Sequence, residues 1–244
     1  METNNPDYSY KNVIQLEDEV SSTRKFMGSV FLWMFVALGI SATCAYLFAQ
    51  DQSLMRMLLD PETGKRTTLG TIAMFSPLVF VLTMSFGFNR LSYPVLALIF
   101  VLYSALTGIS LSFILLAYTA TSVFTCFLSA SALFGVMAIA GYRTSVDLTK
   151  FGALLTMFLL GIIIASLINM FVGSEQLDYI ISFIGVAVFV GLTAYDVQKL
   201  KRIGSGEEYG EAPLQKMAVM GALRLYLDFL NMFLMLLRLF GSRK

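Results

Sequence analysis

Seven long apolar runs dominate the chain, and each is bounded by charged or turn residues. Each run approaches or exceeds the roughly 20 apolar residues that a helix needs to cross a bilayer. Their composition lacks the strict alternation of membrane β-barrel strands, which favours helices. The predicted spans cover residues 26–49, 71–89, 91–116, 121–141, 151–172, 179–198 and 217–240. We therefore predict an all-α integral membrane protein built as a bundle of seven transmembrane helices.

The tight turns near Arg90 and Tyr118 leave one alternative open, because a re-entrant segment there would replace two complete crossings. Outside the spans, residues 1–25 form a polar, net acidic head and residues 241–244 a short basic tail. The first span is longer than the apolar part of a signal peptide and lacks a convincing cleavage site, so we expect it to be retained.

The distribution of basic residues predicts the orientation. Ten Lys and Arg residues lie near the span ends on the side of the head, and six lie on the other side. Because cytoplasmic loops carry the excess of basic residues, the amino terminus is predicted to be cytoplasmic. In a bacterium, the membrane would be the plasma (inner) membrane.

Composition removes several classes of function. The chain is 57% hydrophobic and 14% charged, which excludes an ordinary soluble domain, and its net charge of +1 gives no indication of nucleic-acid binding. It contains no histidine, which excludes the histidine-dependent nucleophilic and zinc mechanisms. Cys44 and Cys126 lie in separate apolar runs and are expected to be small packing residues. We therefore expect a protein that is not an enzyme and has no cofactor.

Two acidic residues interrupt the last two spans. Asp196 lies near the end of the sixth span and Asp228 near the middle of the seventh. An ionisable group at membrane depth costs about 2.5–3.5 kcal/mol even on the lenient scale, so it needs a partner, a watery cavity or a function. Spacings of four and three residues place a set of polar side chains on one face of the seventh helix. This polar stripe consists of Arg224, Asp228, Asn231, Met235 and Arg238.

Lipid does not tolerate such a stripe, so the seventh helix is predicted to lie inside the bundle. Within the stripe, Arg224 and Asp228 are spaced to pair directly. Asp196 and Asp228 in contact would share a proton, since two carboxylates at low dielectric cannot both ionise cheaply. Their oxygens would also offer transient contacts to Ca²⁺. Arg90, at the end of the second span, is expected to reach Asp196; static ion pairs with Arg90 and Arg224 are the structural alternative.

At these positions the sequence resembles the Bax inhibitor-1 family. The similarity extends from about Phe26 through nearly the whole chain and is strongest in Thr193-Ala194-Tyr195-Asp196-Val197-Gln198-Lys199-Leu200 and Leu225-Tyr226-Leu227-Asp228-Phe229-Leu230-Asn231, followed by Leu236-Leu237-Arg238. The resemblance implies a seven-helix bundle with its last helix at the centre. It also implies a pH-sensitive calcium leak in which Asp196 and Asp228 sense protons and Arg90 latches onto Asp196.

The sequence thus predicts a calcium leak channel or transporter, with Ca²⁺ as the permeant ion and the lipid bilayer and protons as its other partners. The alternative is a regulatory membrane protein that binds and modulates a partner such as a membrane protease. In that case the acidic head, residues 1–25, would be the natural point of contact.

Overall fold

The computed structural model describes residues 6–206 and 213–244, with side chains described from residue 20 onward in those ranges. The described residues form eight α-helices and no β-strand, apart from two isolated β-bridges. In chain order the helices are α1 Pro6–Gln50, α2 Gln52–Leu58, α3 Thr68–Gly87, α4 Tyr93–Ala117, α5 Ala120–Arg143, α6 Thr149–Val172, α7 Glu175–Ser205 and α8 Leu214–Phe240.

Seven of these helices are long and apolar enough to cross a membrane, which confirms the predicted seven-helix bundle. The spanning part of α1 begins at Val20. The turn near Arg90 joins the complete helices α3 and α4, and the turn near Tyr118 joins α4 and α5, so neither contains a re-entrant segment. The short α2 was not predicted; it lies in the loop between α1 and α3.

Local side chains define the ends of the helices. The hydroxyl groups of Thr67 and Ser174 accept hydrogen bonds from backbone N–H groups in the first turns of α3 and α7. Gly173 and Gly206 end α6 and α7 with φ of 68° and 81°, a left-handed conformation that glycine adopts without steric cost. The connections between successive helices from α3 to α7 are two to five residues long, which is typical of antiparallel neighbours.

The alternation of helix direction defines two sides of the bundle. We call the side on which α1 begins the head side and the side on which the chain ends the tail side. The turn after α3, the turn after α5 and the end of α7 lie on the head side. On the tail side, the N–H of Thr119 donates to the carbonyl of Ser242 and that of Lys244 to the carbonyl of Ala117, both at 3.0 Å. These bonds attach the basic tail to the α4–α5 turn.

The helix α8 lies at the centre, as predicted, and packs against α1, α4, α5 and α7. In contrast, α3 packs mainly on α4, and α6 mainly on α7. On one side of α8, therefore, a groove remains between α3 and α6. The helices α5 and α7 approach so closely that a Cβ atom on Gly141 would meet the carbonyl group of Ala194. This contact holds α7 against α5 two residues before Asp196.

Candidate functional site

The two acidic residues of the last two spans come together inside the bundle. Asp196 of α7 and Asp228 of α8 are both buried, with 9% and 5% of their surface exposed. The helix α7 continues to Ser205, beyond its predicted end at residue 198. At about 1.5 Å per residue, Asp196 lies about 14 Å from the end of α7 at Ser205, and Asp228 lies about 21 Å from the start of α8. The extension of α7 therefore narrows the difference in depth that the predicted helix ends implied for the two carboxyl groups.

The carboxyl groups of Asp196 and Asp228 face each other within hydrogen-bonding range. The Oδ2 atom of Asp228 is buried and receives no hydrogen bond from any N–H or O–H group of the described residues. Two charged carboxylates in this position would repel each other strongly in a medium of low dielectric. A proton held between them removes one charge and provides the missing hydrogen bond. The geometry therefore suits a pair that shares one proton.

Arg224 supplies the positive charge nearest to this pair. Its Nη1 lies 3.9 Å from Oδ1 of Asp196, at the outer limit of an ion pair, and half of its side chain is exposed. The sequence indicated a pairing of Arg224 with Asp228 along α8, but the ion pair that forms crosses to α7. The packing of α7 on α8 accounts for this difference, because it places Asp196 beside the α8 turn that carries Arg224.

The predicted contact between Arg90 and Asp196 is not formed. Arg90 lies in the turn after α3 with its side chain exposed, and the described residues contain no ion pair that includes it. Arg224 takes the place beside Asp196 that the sequence assigned to Arg90. The turn that carries Arg90 and the end of α7 do lie on the same side of the bundle, as predicted. A shared side, however, does not determine the distance between a turn and a helix face.

The polar stripe of α8 lines one groove, as its spacing predicted. All five residues, Arg224, Asp228, Asn231, Met235 and Arg238, border a cavity of about 950 Å³. Its walls are the middle of α3, the length of α6 and one face of α7. Towards the tail side, Arg238 lies 3.4 Å from Asp178, and Asn231 donates to the carbonyl of Leu227 at 2.9 Å.

A smaller cavity of about 360 Å³ lies between α3 and the ends of α7 and α8 that face the head side. We call it the head-side cavity. It shares Asp196 and Arg224 with the groove. Asp196 therefore lies where the two cavities meet, while Asp228 borders the groove, so a change in the charge of the pair acts on both cavities.

Sequence reasoning missed a polar network at the head-side edge. Gln198 accepts from the N–H of Leu148 at 2.9 Å and donates to the carbonyl of Val146 at 2.8 Å, which ties α7 to the α5–α6 turn. Arg202 donates to Asp147 at 2.7 Å. Hydrogen bonds from Thr149 and the guanidinium group of Arg202 lower the pKa of Asp147 to about 2. The partners of Gln198 and Arg202 on the α5–α6 turn lie 50 or more positions away along the chain, so no local sequence signal could reveal them.

A further expectation concerns the two cysteines. Cys126 is buried and lies 3.7 Å from the carbonyl of Leu236, and Cys44 is half-buried; neither forms a disulfide. Of the predicted acidic head, residues 1–5 and the side chains of residues 6–19 lie outside the part of the chain that the structure describes.

Comparison with known proteins agrees with this architecture. The family model described as Inhibitor of apoptosis-promoting Bax1 matches residues 23–244. The chain is 43% identical over 220 residues to Inner membrane protein YbhL of Escherichia coli strain K12, which covers 90% of this chain and 92% of that protein. It is also 40% identical over 224 residues to an uncharacterized protein of Rickettsia prowazekii, covering 91% of each chain. An uncharacterized membrane protein of Streptococcus pyogenes is 36% identical over 234 residues, with 94% and 97% covered.

Proposed function

Because the chain belongs to the Bax inhibitor-1 family of membrane proteins, we propose that it is a pH-sensitive calcium leak of a bacterial inner membrane. The observation that carries this proposal is the contact between the buried carboxyl groups of Asp196 and Asp228, both of which border the groove, while Asp196 also borders the head-side cavity. The Escherichia coli relative is named as an inner membrane protein, which supports the inner-membrane location.

The carboxyl pair provides a means of sensing protons. With one shared proton, the pair carries one negative charge, which Arg224 partly balances from 3.9 Å. Gain of a second proton removes the attraction for Arg224, and loss of the shared proton leaves two carboxylates that repel each other. Either change alters the forces between α7 and α8, and both cavities adjoin these helices. Proton occupancy therefore changes the path through the bundle.

The same pair offers the first oxygen ligands to a cation in the groove. Two carboxylates supply at most four of the six to eight oxygens that Ca²⁺ takes. The described residues contain no cluster of three or more His, Cys, Asp or Glu side chains. A Ca²⁺ ion at the pair would therefore keep much of its water, which favours passage over storage.

Calcium entry into liposomes that contain the purified protein, measured from pH 5 to pH 8, tests this proposal. We expect flux that changes with pH, and we expect Asp228→Asn to shift its midpoint by a pH unit or more because the shared proton loses one of its two sites. Asp51→Asn is the matched control. Asp51 caps the short α2 outside the groove, and asparagine preserves such a cap.

Liposomes that remain impermeable to Ca²⁺ at every pH would contradict the proposal. An identical pH midpoint in the wild type, Asp228→Asn and Asp51→Asn would retain the leak but remove the carboxyl pair as its sensor. If the liposomes remain impermeable, the hypothesis to test next is a regulatory protein that binds a partner such as a membrane protease. Removal of residues 1–25 followed by a partner-binding assay would then be the next experiment.

A further inference from the structure

Helix α3, like α6, packs mainly on one neighbouring helix. It packs mainly on α4, and only 17% of its most apolar 18-residue window is buried. Pro77 lies inside it and removes one backbone hydrogen bond. Both the groove and the head-side cavity use α3 as a wall. Movement of this helix would therefore change both cavities at little cost in packing.

The head-side end of α3 is held by a lysine from α8. Lys216 is buried, with 8% of its surface exposed, and its Nζ donates to the carbonyl oxygen of Phe88 at 2.6 Å. The same ammonium group lies 4.8 Å from the centre of the Phe88 ring. Phe88 is the C-cap residue of α3, directly after Gly87. Among the described residues, this is the hydrogen bond that joins the end of α3 to the pair α7 and α8.

The charge of Lys216 interacts differently with the dipoles of α3 and α8. A cation in the first turn of a helix opposes the positive end of the helix dipole, and Lys216 lies in the first turn of α8. The same charge is favourable at a helix carboxyl terminus, and α3 has no basic residue in its own last turn. No described carboxylate forms an ion pair with Lys216. Its charge is therefore placed to hold α3 and is unfavourable for α8.

We propose that Lys216 is a latch that fixes the end of α3 against α8 and so holds the α3 wall of the head-side cavity beside Asp196. Loss of the latch frees this wall, while α7 stays tied to the α5–α6 turn through Gln198. The effect on conformation is independent of any transport activity. The effect on calcium flux rests on the proposed function.

Distances between spin labels on α3 and α6 test the latch directly. Labels at Phe86→Cys, on the exposed side of α3, and Lys150→Cys, at the start of α6, are placed in a background with Cys44→Ala and Cys126→Ala. In lipid nanodiscs we expect Lys216→Met to broaden the distance distribution and shift it to longer values. Lys216→Arg keeps the cation and its N–H donors and should restore the wild-type distribution.

Lys201→Met is the matched control. Lys201 donates to the carbonyl of Tyr142 at 3.0 Å and lies 5.2 Å from that ring, so it makes the same type of contact at the end of α5. This variant should leave the α3 distance unchanged. An unchanged distribution with Lys216→Met, or the same shift with Lys201→Met, would overturn the latch. So would a shift with Arg90→Ala and none with Lys216→Met.

Calcium flux measured on the same variants separates the latch from the proposed function. If the wild type leaks, we expect Lys216→Met to raise the flux at pH 7 by about tenfold, the effect of losing one hydrogen bond to a charged group on a two-state equilibrium. A shift in distance with unchanged flux would overturn the control of flux by the latch. If every variant is impermeable, the proposed leak fails, and the spin-label distances alone decide whether Lys216 holds α3.

Discussion

The helices α6 and α8 show how this protein distributes polarity within the membrane. The most apolar window of α6 has a mean hydropathy of 2.5, the highest among the seven spanning helices, yet only 11% of it is buried in the bundle. The corresponding window of α8 has the lowest value, 1.5, and 72% of it is buried. The least apolar helix therefore lies at the centre, and the most apolar helix faces the lipid.

Polar groups avoid lipid, and this avoidance determines which helix is buried inside the bundle. In water, apolar side chains gather in the interior because the solvent rejects them. In a bilayer, the hydrocarbon accepts apolar side chains as readily as the protein does, so packing and polar contacts decide which helix lies inside. The acidic and basic groups of α8 require partners that α6 does not need.

Removal of one phenylalanine ring from α8 should lower the stability of the protein far more than removal of one from α6, and this is the largest effect that we expect. Phe229 of α8 is buried and makes edge contacts with Phe127 and Phe134 at centroid distances of 5.3 and 5.7 Å. Phe229→Ala leaves a cavity and should lower stability by about 3–5 kcal/mol. Phe158 of α6 is 51% exposed, and lipid can fill the space after Phe158→Ala, so the loss should stay below about 1 kcal/mol.

Thermal unfolding of both variants in nanodiscs measures this difference. Equal losses of stability would contradict the contrast between the two helices, because they would mean that lipid does not replace the ring on α6.

The replacement Asp228→Leu tests whether the polarity of α8 serves function or stability. It removes a buried carboxyl group with an unpartnered oxygen and leaves Asp196 with Arg224 as its neighbour. Replacement of buried ion pairs by apolar side chains of similar volume is often neutral or stabilising by about 1–4 kcal/mol. Asp228 itself forms no ion pair among the described residues, so Asp228→Leu leaves no cation without its partner. We expect an unchanged or raised midpoint of thermal unfolding, together with loss of the pH dependence of flux.

A fall of the midpoint by several degrees would instead support static ion pairs, the structural alternative for these acids.

Removal of the ion pair between Asp147 and Arg202 at the head-side edge should have the smallest effect on stability. Because the pKa of Asp147 is lowered to about 2, its stabilising contribution is present above the unfolded value near 4 and is lost only as the pH falls towards 2. The pair is therefore charged throughout the range from pH 5 to pH 8. The difference in unfolding midpoint between the wild type and Asp147→Asn should be small and constant across this range.

Unfolding curves at several pH values check this expectation. A difference that varies between pH 5 and pH 8 would show that the edge pair takes part in proton sensing.

Part of the candidate site could be predicted because its signal is local. The spacing of Arg224, Asp228 and Arg238 defines one helical face at any depth, and lipid excludes that face, so both the stripe and its inward orientation follow from the sequence. The place of Arg90 could not be predicted in this way. Its contact depends on the distance between a turn and a neighbouring helix, which hydrophobic periodicity does not encode.

Hydrophobicity and polarity along the chain are enough to predict the seven spans, the central position of α8 and the two acids that require partners, because the bilayer imposes a length and a polarity on each segment. The contacts that these and other polar side chains make depend on the tertiary structure. It placed Arg224 beside Asp196, tied Gln198 to the α5–α6 turn and brought Lys216 to the end of α3. These contacts join residues distant along the chain, and their geometry depends on how far α7 extends and how the helices pack.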